Sequence, residues 1–119
     1  MKVEGQNIYM TRGDSASVII SASTKIGNNR TPRPFVDGDK IEMTVRQFPS
    51  SPSVAVHKTV TEFTEDGKAV IEISPSDTSG LSFGTYSYDI QLTEEGGAVH
   101  TIVTPSAFVV GEEDTYGED

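Results

Sequence analysis

The side chains in this sequence that could do chemistry are few and scattered. His57 and His100 are its two histidines. Each sits in an alternating stretch, His57 opposite a face of valines and His100 opposite Val99, and a metal site would need a third ligand and a supporting partner that the sequence does not specify. Both are expected on the surface. Asp37 and Asp39 flank Gly38, but a hard cation needs about six to eight oxygens, and the acidic loop closed by a glutamate that supplies them is absent. A capped turn is the expectation there. Glu94 with Glu95, and Glu65 with Asp66, are adjacent acids in turn sequences. Acid–base chemistry needs two carboxyls converging across a bond, whereas neighbouring turn acids point apart into water.

No serine lies in a Gly-x-Ser-x-Gly elbow and no glycine loop is built to cradle phosphate. The chain has no cysteine, which excludes disulfides, thiolate metal sites and cysteine nucleophiles. Arg12-Gly13-Asp14 matches the tripeptide that adhesive ligands present to integrins. So short a match is outweighed by the simpler reading, a turn in which glycine bends the backbone and aspartate accepts bonds from the amides after it. An enzyme is therefore the weakest of the functional classes open to this chain. No cofactor and no metal are expected.

The elements that must carry these residues follow from composition and periodicity. At 119 residues the chain fits one domain and can bury roughly two-thirds of its unfolded surface. Hydrophobic residues make up 34 % and tryptophan is absent, while Ile, Val, Thr, Ser and Tyr are plentiful, a balance that suits thin two-layer β structure. Net charge is −9, and the last eight residues hold five of the acids. The rest of the chain carries about −4, an ordinary value for a soluble domain. Such a surface repels phosphate backbones, and Arg30 and Arg33 alone make no basic patch, so nucleic acid is not an expected partner. No apolar run approaches the length of a membrane span and no secretory signal is visible, so a soluble chain without an address is expected.

In order, residues 1–6 read as a flexible N-terminal arm and 7–11 as a first strand ended by the Arg12-Gly13-Asp14-Ser15 turn. Residues 16–22 form a second strand facing inward through Val18 and Ile20. Residues 23–38, rich in Gly, Asn and Pro, read as a long loop. Residues 40–47 alternate cleanly, with Ile41, Met43 and Val45 inside. Residues 54–63 resume after a proline-rich break, and Lys58 on their apolar side marks an edge strand. Asp66-Gly67 makes a hairpin turn to a strand over 69–73. Ser74-Pro75-Ser76-Asp77 starts one short helical turn. Glu94-Glu95-Gly96-Gly97 is a hairpin into residues 98–104; Pro105 interrupts, and 107–110 form the last strand. Residues 111–119 read as an acidic disordered tail.

The chain is organised around residues 77–93. From Tyr86 the apolar residues Tyr86, Tyr88, Ile90 and Leu92 fall on every second position, which marks a central strand with one buried face. Just upstream, Leu81, Gly84 and Tyr86 have the Leu-x-x-Gly-x-Tyr spacing of a tyrosine corner, in which the phenol bonds back to the chain a few residues earlier. The whole reads as an all-β sandwich of seven to eight antiparallel strands over residues 7–110.

Taken together, these segments resemble the N-terminal domain of baseplate upper proteins, a family of phage and prophage tail-region proteins of Gram-positive bacteria. The residues that carry the resemblance are Tyr9 to Asp14, Gly38-Asp39, Ile73-Ser74-Pro75-Ser76-Asp77-Thr78 with Leu81, and Gly84-Thr85-Tyr86-Ser87-Tyr88-Asp89-Ile90-Gln91-Leu92. Gly97, Thr101-Ile102 and Phe108 follow. The resemblance implies an immunoglobulin-like module that assembles with copies of itself or with other tail proteins, is located in the virion, and has no enzyme activity. Larger members continue into a coiled coil or receptor-binding domain, so a small accessory tail or baseplate component is expected here. Ile19, Phe35, Val70 and Ile102 are the expected interaction surface. The alternative is a glycan- or peptide-binding module of a bacterial surface protein, for which Phe35 is the aromatic residue available in the 23–38 loop.

Overall fold

Two-residue alternation dominates the folded chain, and the computed structural model, which describes residues 1–112, is accordingly all-β with a single turn of helix. The strands are β1 (Lys2–Glu4), β2 (Asn7–Thr11), β3 (Ala16–Ile20), β4 (Ser23–Ile26), β5 (Asn29–Pro32), β6 (Lys40–Arg46), β7 (Val54–Val60), β8 (Ala69–Ile73), β9 (Gly84–Thr93) and β10 (Val99–Gly111), with α1 at Pro75–Ser79. Six of them form one sheet in the order β1-β2-β10-β9-β6-β7, while β3 pairs with β8 and β4 with β5. The strand starting at Gly84 lies inside the large sheet, between β10 and β6.

The core lies between the large sheet and the β3–β8 pair. Ile8, Met10, Ile41, Met43, Val45, Tyr88, Ile90, Leu92, Phe108 and Val110 enter it from the large sheet, and Val18, Ile20, Ala69, Ile71 and Ile73 from the pair. Each set obeys the period of its strand, as in β6, where Ile41, Met43 and Val45 are fully buried and the residues between them are not. Tyr88 meets Phe108 edge-on, with ring centroids 6.3 Å apart. Its hydroxyl donates to the Gln6 carbonyl, and burial pushes the phenol above its ordinary value.

Several expectations are corrected. There are ten strands rather than seven to eight, and they are not all antiparallel, since β2 runs parallel to β10 with Ile8 opposite Phe108. The N-terminal arm is structured from Lys2 to Glu4, where β1 folds back on β2 through Gly5 at φ +60°. Three strands, β1, β4 and β5, are too short for a periodicity to register. The 23–38 loop contains the β4–β5 hairpin, turning at Gly27 (φ +62°). All four residues of β5 are exposed, so there was no apolar alternation to read. Pro105 does not end the last strand; it falls in a register shift between Val103 and Ser106, where a missing amide costs no ladder bond.

The Asp66-Gly67 turn exists, but it does not join a hairpin. Its strands part, β7 staying on β6 and β8 crossing to β3, so the turn links the two sheets. β7 is an outer strand of the large sheet, and Lys58 reaches Asp77 at the foot of α1, 2.7 Å away. Burial opposes ionisation of Asp77, yet the bonds from Lys58 and Ser74 outweigh it and hold the carboxyl below its ordinary value. Of the expected acidic tail, Gly111 is the last residue of β10, and residues 113–119 lie outside the described chain.

Candidate functional site: a polar groove and an uncovered sheet edge

Residues 33–39 leave β5 and fold back over the end of the large sheet. Pro-Phe-Val supplies no ladder strand, so the turn is held by side chains. Asp39, 4 % exposed, accepts the Val36 amide at 3.0 Å and an Arg33 guanidinium N–H at 2.7 Å. The bond from Arg33, ahead of the opposing effect of burial, holds the Asp39 carboxyl below its ordinary value, and the same contact raises Arg33. A second guanidinium nitrogen reaches Glu94 at 3.1 Å, and His100 lies 3.4 Å from the same Glu94 oxygen.

Arg33, Glu94 and His100 rim an open groove of about 560 Å³ between the β4–β5 hairpin and the β9–β10 turn, which Arg30 and Ile102 also line. Arg30 donates to Ser23 within its hairpin. The cations of the groove are thus already engaged, one by two carboxylates and the other by a hydroxyl. The arrangement fastens the hairpin to the sheet; its geometry defines no acid–base pair.

The remaining sequence-expected residues are dispersed. Arg12 donates to the Leu81 carbonyl at 3.1 Å and lies 4.1 Å from the Phe83 ring centroid, while the Gly13 amide bonds the buried Thr78 hydroxyl at 2.9 Å. The Arg-Gly-Asp turn is therefore a structural corner rather than a freely offered ligand. His57 sits on the outer face beside Glu42, 3.2 Å away. Among the described residues no group of three or more His, Asp or Glu converges as metal ligands would.

Tyr86 donates its hydroxyl to the Ser82 carbonyl at 2.9 Å, with Leu81 half-buried below and Gly84 opening β9. Ile19 is 66 % exposed and registers directly across from Val70 on the outer face of the β3–β8 pair. Ile102 is half-buried and packs toward the core at the groove, away from that face.

Phe35 is a correction. It is 3 % exposed, its ring lies tilted against Phe63 with centroids 5.4 Å apart, and its amide donates to the Gly67 carbonyl at 2.9 Å, so it is core and offers no surface. Its apolar neighbour Val36 is the exposed one. Sequence reading also passed over Arg33 as a tie between hairpin and sheet. The signal was weak, an arginine six residues before an aspartate in a Gly-Pro-rich segment.

The class that strand content and order define is an all-β protein built on a multi-stranded sheet. No protein-family model matches the chain, and no curated protein matches it.

Proposed function

We propose that this chain is an immunoglobulin-like β-sandwich that serves as a non-enzymatic structural or assembly module of a phage or prophage tail or baseplate, acting in the virion through contacts with other tail proteins or with itself. The observation that carries the reading is the outer face of the β3–β8 pair, where Ile19 and Val70 stand opposite one another and, among the described residues, no further strand pairs with the two. Apolar outer positions beside unpaired backbone are what an interface uses and what a solitary domain avoids.

The strand order supports the finer fold. A second strand, β2, parallel to β10, a two-stranded second layer, and a tyrosine bonded back to the residue four positions earlier fit an immunoglobulin-like topology with a tyrosine corner. In Tyr86→Phe the ring still packs but the bond to Ser82 is lost. Stability falls by on the order of 1 kcal/mol, read from urea unfolding at constant m-value. An unchanged midpoint would remove the corner from the account.

The glycan- or peptide-binding alternative loses its aromatic platform, because Phe35 is internal. The functional test is mass spectrometry of particles purified after prophage induction of the encoding strain. The chain is expected in the particles at a level comparable with other tail components. Its presence in the cell but absence from intact particles overturns the reading.

A further inference from the structure

We propose that the free edge of β3 is a self-pairing site, through which two copies of this chain join about a two-fold axis with β3 antiparallel to β3. This proposal rests on the assembly reading above and names its surface. β3 is bonded to β8 on one side, and among the described residues no strand pairs with its other side. Its sequence, Ala16-Ser17-Val18-Ile19-Ile20, contains no charge and no proline, two of the devices that keep an edge from recruiting another strand. The outer strands of the large sheet have such guards: β1 carries Lys2 and Glu4, and β7 carries Lys58 bound to Asp77.

Beside this edge runs a groove of about 420 Å³ between β3 and the β1–β2 turn, lined by Met1, Val3, Ile8, Ile19 and Tyr88 among others and by no charged side chain. Val3 and Ile19 are 50 % and 66 % exposed at its rim. An extended segment fits such a site because it satisfies the unpaired amides and carbonyls while covering the rim.

The register favours the strand's own copy as occupant. Antiparallel pairing centred on Val18 sets Ser17 against Ile19 and Ala16 against Ile20 of the second copy. Inward residues thus stay inward, outward residues stay outward, and no like charges meet. Self-pairing also closes both open edges at once, whereas a strand donated by another protein would fill only one. The net charge of −9 does not prevent it. The acid flanking this edge, Glu72 on β8, would lie three strand spacings from its copy, roughly 14 Å and beyond the screening length of about 8 Å in physiological salt.

Sedimentation of the full chain over a range of concentrations, combined with amide hydrogen exchange, tests this. The wild type is expected to form a dimer, and exchange at residues 16–20 to slow as concentration rises. Ile19→Lys, at an exposed position, should keep the thermal melt and raise the dimer dissociation constant by at least about tenfold. Val99→Lys, at a position 56 % exposed on β10, should dimerise as the wild type does. Should Ile19→Lys fail to fold, the wild-type exchange pattern alone decides. A protein monomeric at every concentration overturns the proposal. So does a dimer that Ile19→Lys leaves intact with exchange at 16–20 unaltered, and in that event the assembly reading stands through another surface, with the particle assay its separate judge.

Discussion

Gly67→Ala is expected to destabilise the domain by about 3 kcal/mol, which for a chain of this size lowers the melting temperature by roughly 10–20 °C. Gly67 sits at φ +76°, and a Cβ built there comes within 2.4 Å of the Pro34 Cβ and 2.9 Å of the Pro34 Cα. Left-handed backbone alone costs a side chain about 1–2 kcal/mol. The clash adds a similar amount because the neighbour is a proline ring and main chain, not a mobile tip. The Gly67 carbonyl also accepts the Phe35 amide, so yielding at this turn would loosen the Phe35–Phe63 contact. Gly97→Ala is the control: φ there is +100° and nothing lies within 4 Å of the added carbon. It should cost only the conformational part. Equal losses in the two variants, measured by thermal melts, would show that Pro34 gives way and that the turn is not tightly seated.

Arg33→Met is expected to cost about 2–3 kcal/mol at neutral pH, because it leaves the buried Asp39 carboxylate with the Val36 amide alone. The lower end reflects the partial exposure of Arg33, whose side chain is 26 % accessible. The pH dependence gives the effect its signature. Asp39 titrates below its ordinary 3.8 in the folded protein, so the stability it contributes is fully present above that value. It is lost as pH falls through the lower folded value. Without Arg33 burial prevails, the carboxyl moves upward, and acid no longer penalises the fold at this site. Denaturant unfolding from pH 7 to pH 3 should therefore show a gap between wild type and variant that is widest above about pH 5 and shrinks in acid. A gap constant with pH would mean that Arg33 acts by packing on its neighbours and not through its charge.

What could be read from sequence divides along a physical line. β6 and β9 were legible because each has one buried face in a wide sheet, so Ile41, Met43 and Val45, and Tyr88, Ile90 and Leu92, recur at the strand period. The edge position of β7 was legible from Lys58, since an ammonium on an apolar face is tolerated only where its tip can reach water or a carboxylate beyond the last strand. β4 and β5 were not, because β5 buries neither face and the polar residues of the hairpin look like loop. The parting of β7 and β8 was hidden for another reason: a glycine turn specifies a reversal of direction and carries no information about which sheet receives the next strand. Phe35 was misplaced by its setting among Pro, Gly and Asn. Its burial depends on Phe63 and Gly67, far along the chain. The groove residues were unreadable on the same ground, since Arg33 meets Glu94 only through the fold.

The parallel seam between Asn7–Thr11 and the end of the last strand has a bearing on how the molecule comes into being. On its β10 side Ile8 meets Phe108, about a hundred residues further along, so a chain emerging from the ribosome cannot finish its principal sheet until β10 has been made. β2 must wait with its apolar side chains in water, and the arrival of β10 sets the moment at which the interior dries.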